Sequence, residues 1–234
     1  LSSISGCILN QQTVLGSPHN DHAAWMNKYS ISPSTLVLQK GFSFDAAAFP
    51  RLSASTENLV FERGAILSDE HFEQIMYHCA SRVVSLTLVH CLFISAECFL
   101  RCISQCPKLT TCHVVRCMNI DEFTLSAVPT LCPTLRHFTA TQYKIEAILP
   151  GFAGIRNLVT FECRSKISEA HLNTIGRYMP NIQNLKLSTF SAVGTGITFD
   201  GLCNGCTKLQ VLHLVGFPDL DDRAVACITT HLSL

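Results

Sequence analysis

No apolar run in this 234-residue chain approaches the length of a membrane span, so no membrane partner is expected. Charge of either sign is not in excess. Seventeen Lys and Arg balance seventeen Asp and Glu, and charged residues make up only 15% of the chain. Lys and Arg are scattered, so no basic patch points to nucleic acid. The first fifteen residues lack a positively charged start and a long apolar stretch, which argues against a secretion signal. There is no Asn-x-Ser/Thr sequon, no Gly-rich phosphate loop and no G-x-S-x-G elbow. A nucleophile, a base and an orienting group cannot be assembled. No enzymatic activity, no cofactor and no metal are therefore expected.

Cysteine, by contrast, is abundant, with 13 residues. The count is odd and most fall at periodic places. Cys106, Cys132 and Cys206 open units with Cys106-Pro107-Lys108-Leu109, Cys132-Pro133-Thr134-Leu135 and Cys206-Thr207-Lys208-Leu209. Cys91 and Cys117 recur at a turn. Periodic cysteines of this kind behave as small buried residues with a weak S–H donor. Together with the missing sequon they favour a reducing setting, cytoplasmic or nuclear.

A repeat runs through most of the chain. Apolar-x-apolar steps fall at Leu36/Leu38, Leu59/Phe61, Leu86/Leu88, Cys112/Val114, Phe138/Ala140, Phe161/Cys163, Leu185/Leu187 and Leu212/Leu214. The period averages about 25 residues, within the range of known solenoid repeats. In a strand the two apolar residues of each step share one face and the residue between them takes the other. Strands are expected near 35–39, 58–62, 85–89, 111–115, 137–141, 160–164, 185–188 and 211–215. After each turn stands a short polar residue that can cap a helix: Ser68-Asp69, Ser95, Asp121, Ser168 and Asp221-Asp222. Phe72, Ile75 and Met76, and then Phe99 and Cys102, follow at helical spacing. A single strand and helix cannot bury their apolar faces alone, so the units must stack. Irregular connections are expected at 143–155, which contains Pro150-Gly151, and at 190–199, which contains Gly194 and Gly196.

Cys106, Leu109, Cys112, Val114, Cys117 and Ile120 follow the order C-x-x-L-x-x-L-x-L-x-x-C-x-x-I-[TS]-D closely, with Asp121 directly after Ile120. In this the chain resembles the cysteine-containing leucine-rich repeats of F-box proteins. Cys206 to Asp222 matches as well, with Phe217 in place of the second cysteine. The resemblance implies an α/β leucine-rich repeat solenoid, a horseshoe with a parallel sheet on the concave face and helices on the convex face. Residues 33–234 would form about eight repeats, truncated at both ends. Residues 1–32 read as an irregular or degenerate segment with one short helix around His22–Tyr29. The resemblance also implies substrate recognition for a cullin–RING ubiquitin ligase. The adaptor would bind only through an F-box, and no such pattern occurs in this chain. The alternative is a leucine-rich repeat scaffold or regulator unrelated to ubiquitin.

A protein substrate or partner would lie on the concave face. The outward residues there include Glu62, Thr87, His113, His137, Thr139, Glu162, Arg164, Lys186 and His213. Charge gathers late, at Glu162, Arg164 and Lys186. Val60, Val89, Val115, Val211 and Val215 add apolar surface among polar groups, a frequent mark of an interface. Thr87→Asp and Lys186→Asp should both be mild on this register, whereas Leu88→Asp and Leu187→Asp should not. The remaining motifs have plainer readings. Cys203 and Cys206 form a lone CxxC, but Cys206 already opens a repeat. Cys98, Cys102 and Cys106 share a helix face as core residues. His19 and His22 lack further metal ligands, and Asp221-Asp222 reads as a cap.

Overall fold

A computed structural model describes residues 6–9, 12–15, 34–38, 56–62, 67–189, 197–217 and 220–231. The expected helix at 22–29, the His19/His22 pair and the Gly194/Gly196 connection lie outside these residues. The chain divides into two compact units, Leu1–Ile120 and Asp121–Leu234.

The first unit holds strands β1 (Gly6–Leu9), β2 (Gln12–Leu15), β3 (Thr35–Leu38), β4 (Asn58–Phe61), β5 (Ser85–Val89) and β6 (Thr111–Val115). Its described helices are α1 (Asp69–Cys79) and α2 (Ala96–Ile103). The strands pair in sequence order. β1 and β2 are antiparallel, and every pairing from β2 to β6 is parallel. The β1–β2 hairpin lies where the sequence reading assigned no strand. β2 lies in register with β3, with Thr13 opposite Leu36 and Leu15 opposite Leu38, so polar Thr13 stands where the later strands carry the first apolar residue of the step.

The second unit holds β7 (His137–Thr141), β8 (Thr160–Arg164), β9 (Asn184–Ser188) and β10 (Val211–Val215), again parallel and in order. Its helices are α3 (Glu122–Leu131), α4 (Ile145–Ile148), α5 (Glu169–Tyr178), α6 (Asp200–Gly205) and α7 (Asp222–His231). Where Pro150-Gly151 predicted an irregular connection, α4 stops after one turn. A 3-10 turn at Leu149–Phe152 follows it. Gly151 is required there, because a Cβ would stand 1.8 Å from the Ser126 carbonyl oxygen.

The core follows from the step. Leu86, Leu88, Cys112 and Val114 are fully buried, as are Phe138, Phe161 and Leu187. Each helix turns its apolar stripe onto the sheet: Phe72, Ile75, Met76 and Cys79 on α1, and Cys98, Phe99, Cys102 and Ile103 on α2. Phe138, Phe152 and Phe161 pack with ring centroids 4.9 to 6.1 Å apart, the spacing that aromatic quadrupoles favour. Successive repeats are also tied through one carbonyl just before each strand, which accepts two N–H groups of the next repeat. Val84 accepts from Thr110 and Thr111, and Val159 accepts from Gln183 and Asn184.

The caps fall where the polar residues predict. Ser68 accepts from the His71 N–H, Ser95 from Cys98, Asp121 from Thr124 and Asp221 from Ala224. At Ser168 the backbone N–H donates to His171 Nδ1 at 3.1 Å. A second, unforeseen role belongs to the acidic residue at the start of a helix. Asp69 accepts from both the N–H and the hydroxyl of Ser95, at 2.7 and 2.6 Å. Glu122 accepts from the Lys144 N–H and Glu169 from the Thr198 N–H. First-turn acids already complement the helix dipole, and here they also anchor the entry to the following repeat.

Candidate interaction face

Alternation along each strand turns one set of side chains away from the helices. Parallel register then lines those side chains up in rows across the strands. In the second unit the central row reads Thr139, Glu162, Lys186, His213. Arg164 belongs to the adjacent row Thr141, Arg164, Ser188, Val215, and His137 to the row His137, Thr160, Asn184, Val211. Lys186 Nζ lies 2.8 Å from Glu162 Oε1, with side-chain exposures of 47% and 32%. Arg164 and His213 are exposed. His137 is half-buried and its Nδ1 lies 3.0 Å from Thr160 Oγ1. Burial, aided by the neighbouring Arg136 charge, lowers its pKa, so it is neutral at physiological pH.

The first unit repeats the register with different side chains. Its central row reads Val37, Val60, Thr87, His113, flanked by Thr35, Asn58, Ser85, Thr111. Thr87 and His113 are therefore direct neighbours. Glu62 falls beyond the end of β4, half-buried and outside the row. A groove of about 600 Å³ lies over this face, lined by Asn58, Val60, Ser85, Thr87, Thr111 and His113 among others.

Two sequence expectations need correction here. Val60 and Thr87 are buried rather than solvent-facing, with 4% and 8% exposure, and Thr139 is likewise buried at 6%. Threonine is short, and in register Thr87 stands between Val60 and His113, while Thr139 stands beside Glu162. Longer neighbours shade it even on the open face. The five valines divide as well. Val211 and Val215 are exposed, Val89 and Val115 half-buried, and Val60 buried.

The chain leaves β5, β6 and β7 through a turn that the sequence reading missed. His90, Arg116 and Gln142 all adopt positive φ, at 55°, 55° and 70°, in the left-handed region that disfavours a side chain. That turn drives Cys91, Cys117 and Tyr143 into the interior. The equivalent residue after β10 is Gly216, at φ 77°, the one position where composition announces the turn.

The cysteines from Cys79 to Cys206 line the interior. Cys117 Sγ lies 3.7 Å from the Leu88 carbonyl, Cys106 Sγ 3.5 Å from Cys102 and Cys206 Sγ 3.6 Å from Met179. Burial pushes Cys79, Cys163 and Cys206 up to about 12 and Cys132 to about 11. Such thiols are inert packing residues. The CxxC does not act as a pair, since Cys206 faces Met179 while Cys203 Sγ meets Cys227 Sγ. Among the described residues no helix is long and apolar enough to cross a membrane.

Parallel strands at a period near 25 residues, joined by helices from β4 onward, define the architecture. A chain of the yeast Rad7 and Elc1 complex superposes with a TM-score of 0.54 over 85% of this chain, at 12% identity. This is a leucine-rich repeat fold. The chain spans 60% of the length of that neighbour. A chain of the TLR13–ssRNA13 complex superposes with a TM-score of 0.47 and 14% identity, covering 77% of this chain and 32% of that one. No family model and no curated protein matches the sequence.

Proposed function

We propose that this chain is a protein-interaction region that selects a substrate for an F-box-type cullin–RING ubiquitin ligase. The observation that carries the reading is the charged row of the second unit. Glu162 and Lys186 form an ion pair at 2.8 Å, with Arg164 and His213 exposed beside it. A polar row set among Val211 and Val215 has the mixed character of a protein-binding surface. The repeats follow the cysteine-containing pattern of F-box proteins. The yeast neighbour of the same fold occurs in a complex with another protein. The ligase assignment rests on likeness of fold and repeat, which is analogy, whereas the row is a property of these residues.

A scaffold unrelated to ubiquitin would use the same row, so the experiment separates the two. Pull-downs compare this chain, the same chain carrying Glu162→Ala, Arg164→Ala and Lys186→Ala, and the longest natural form of the protein. The chain is expected to capture client proteins. The triple variant should lose most of that capture with an unchanged thermal melt, and the wild-type signal should weaken as salt rises. The longest form should also recover the cullin–RING adaptor. Normal capture by the triple variant removes the site. Intact capture with no adaptor in the longest form leaves the scaffold reading in place.

A further inference from the structure

We propose that Cys203 and Cys227 form an oxidisable dithiol, a disulfide-forming site that small-molecule disulfides enter through Cys227. Cys203 lies on α6 and Cys227 on α7, and their sulfurs are 3.4 Å apart. A disulfide measures about 2.05 Å, so closure asks for a movement of roughly 1.4 Å. Cys227 Sγ also lies 3.2 Å from Asp200 Oδ1, which holds the thiol beside its partner.

Access makes the pair selective. Among the cysteines from Cys79 to Cys227, Cys227 is the only one that is not buried. Cys203, its neighbour in space, is 2% exposed, so Cys227 presents the accessible sulfur of the pair. Cys79, Cys106 and Cys206 are buried against backbone carbonyls and present no sulfur to a solute.

The chemistry balances with a low-molecular-weight disulfide as oxidant. The Cys227 thiol gives its proton to solvent and its sulfur attacks one sulfur of oxidised glutathione. The glutathione S–S bond breaks, and one glutathione leaves and takes up a proton. The Cys203 thiol then loses its proton and attacks the Cys227 sulfur of the mixed disulfide. That bond breaks and the second glutathione leaves, protonated in turn. Two protein thiols lose two electrons, and one glutathione disulfide becomes two glutathiones.

The rate carries a signature. Burial, followed by Asp200 and Cys203, pushes Cys227 up to about 12, and burial raises Cys203 too. Exchange is therefore slow at neutral pH and should accelerate about tenfold for each pH unit, in proportion to the thiolate.

The experiment incubates the chain with oxidised glutathione at two pH values. Exposed thiols are alkylated in the native state, and the remainder, after unfolding, with a second reagent. Lys208 and Arg223 place the two cysteines on different tryptic peptides, and fragmentation tells Cys203 from Cys206. The expected product is a Cys203–Cys227 cross-link, with Tm raised by several degrees through the closed loop and restored by reductant. Cys203→Ser should arrest the reaction as a mixed disulfide on Cys227. Cys227→Ser, at a partly exposed position that folding tolerates, should leave Cys203 reduced. A wild-type chain that stops at the mixed disulfide overturns the proposal. So does one that first forms a disulfide elsewhere, or whose Cys203 oxidises equally well in Cys227→Ser.

Discussion

In the first unit the row Val37, Val60, Thr87, His113 crosses four parallel strands, and its first three members are almost wholly buried. In the second unit the row Thr139, Glu162, Lys186, His213 also crosses four parallel strands, and its last three reach solvent. The backbone logic is shared. Each strand turns Leu, Phe, Val or Cys toward the helices and one side chain the other way. Only the second set differs. One unit uses short, mostly uncharged residues around a groove, and the other uses an ion pair flanked by an arginine and histidines. The chemical difference between the two faces therefore resides in the residue between the two apolar members of each step, which the fold constrains least.

The largest expected effect tests the shared part. Leu88 in β5 and Leu187 in β9 are both fully buried. Leu88→Asp and Leu187→Asp should each destabilise by roughly 4 kcal/mol, since each places an unpaired charge in the interior. Thermal or urea melts of the two variants measure it. A mild result in one unit and a severe one in the other would mean that the register differs between them.

A smaller effect separates the two faces. On the sequence register alone Thr87→Asp and Lys186→Asp look alike, both pointing away from the helices. The structure distinguishes them. Thr87 is 8% exposed, so a carboxylate there must leave water, and about 2 kcal/mol of destabilisation is expected. Lys186 is half-exposed, and its replacement loses one partly solvated ion pair and sets a second carboxylate beside Glu162. That should cost below about 1 kcal/mol, and more salt should shrink it. Urea melts at low and high salt compare the two. Equal losses would dissolve the contrast between the faces.

Much of this was legible in the residues and some was not, for physical reasons. Apolar alternation marks a repeat strand because burial on one face is obligatory, so all eight repeat strands lie where the steps predict them. Ser95 and Asp121 announce helix starts because few other side chains can accept from a first-turn N–H. The left-handed turns at His90, Arg116 and Gln142 have no such signature. Arg and Gln give no hint of positive φ and His a weak one, whereas Gly216 announces it. The β1–β2 hairpin escaped for a related reason, since β2 carries Thr13 where the other strands carry the first apolar residue of the step and β1 runs antiparallel to it. The burial of Thr87 and Thr139 depends on neighbours more than twenty residues away in sequence, and a period cannot report that. The charged row could be read as a list but not as a pair. The 2.8 Å contact between Glu162 and Lys186 comes from strand register.

The smallest expected effect sets two aspartates against each other, one in each unit. At Asp69 burial opposes the charged form, but the hydroxyl and N–H of Ser95 outweigh it and hold the carboxyl below its ordinary value. At Asp121 the hydrogen bonds from the Thr124 hydroxyl and N–H lead, with the same direction. A carboxyl with a depressed folded pKa contributes stability above the unfolded value near 3.8. That contribution disappears as pH falls through the folded pKa. Asp69→Asn and Asp121→Asn keep an accepting oxygen but no charge, so each should cost about 1 kcal/mol or less at pH 7. The gap to the parent chain should stay level down to about pH 5 and close below the unfolded value. Urea midpoints from pH 7 to pH 3 follow it. The two variants differ in what they loosen. Asp121 holds the first turn of its own helix, whereas Asp69 reaches the entry of the next repeat. Hydrogen exchange should therefore rise at the start of α3 in the first case and around Ser95 in the second. A gap as wide at pH 3 as at pH 7 would show that the oxygen acts by shape alone and that the charge adds nothing.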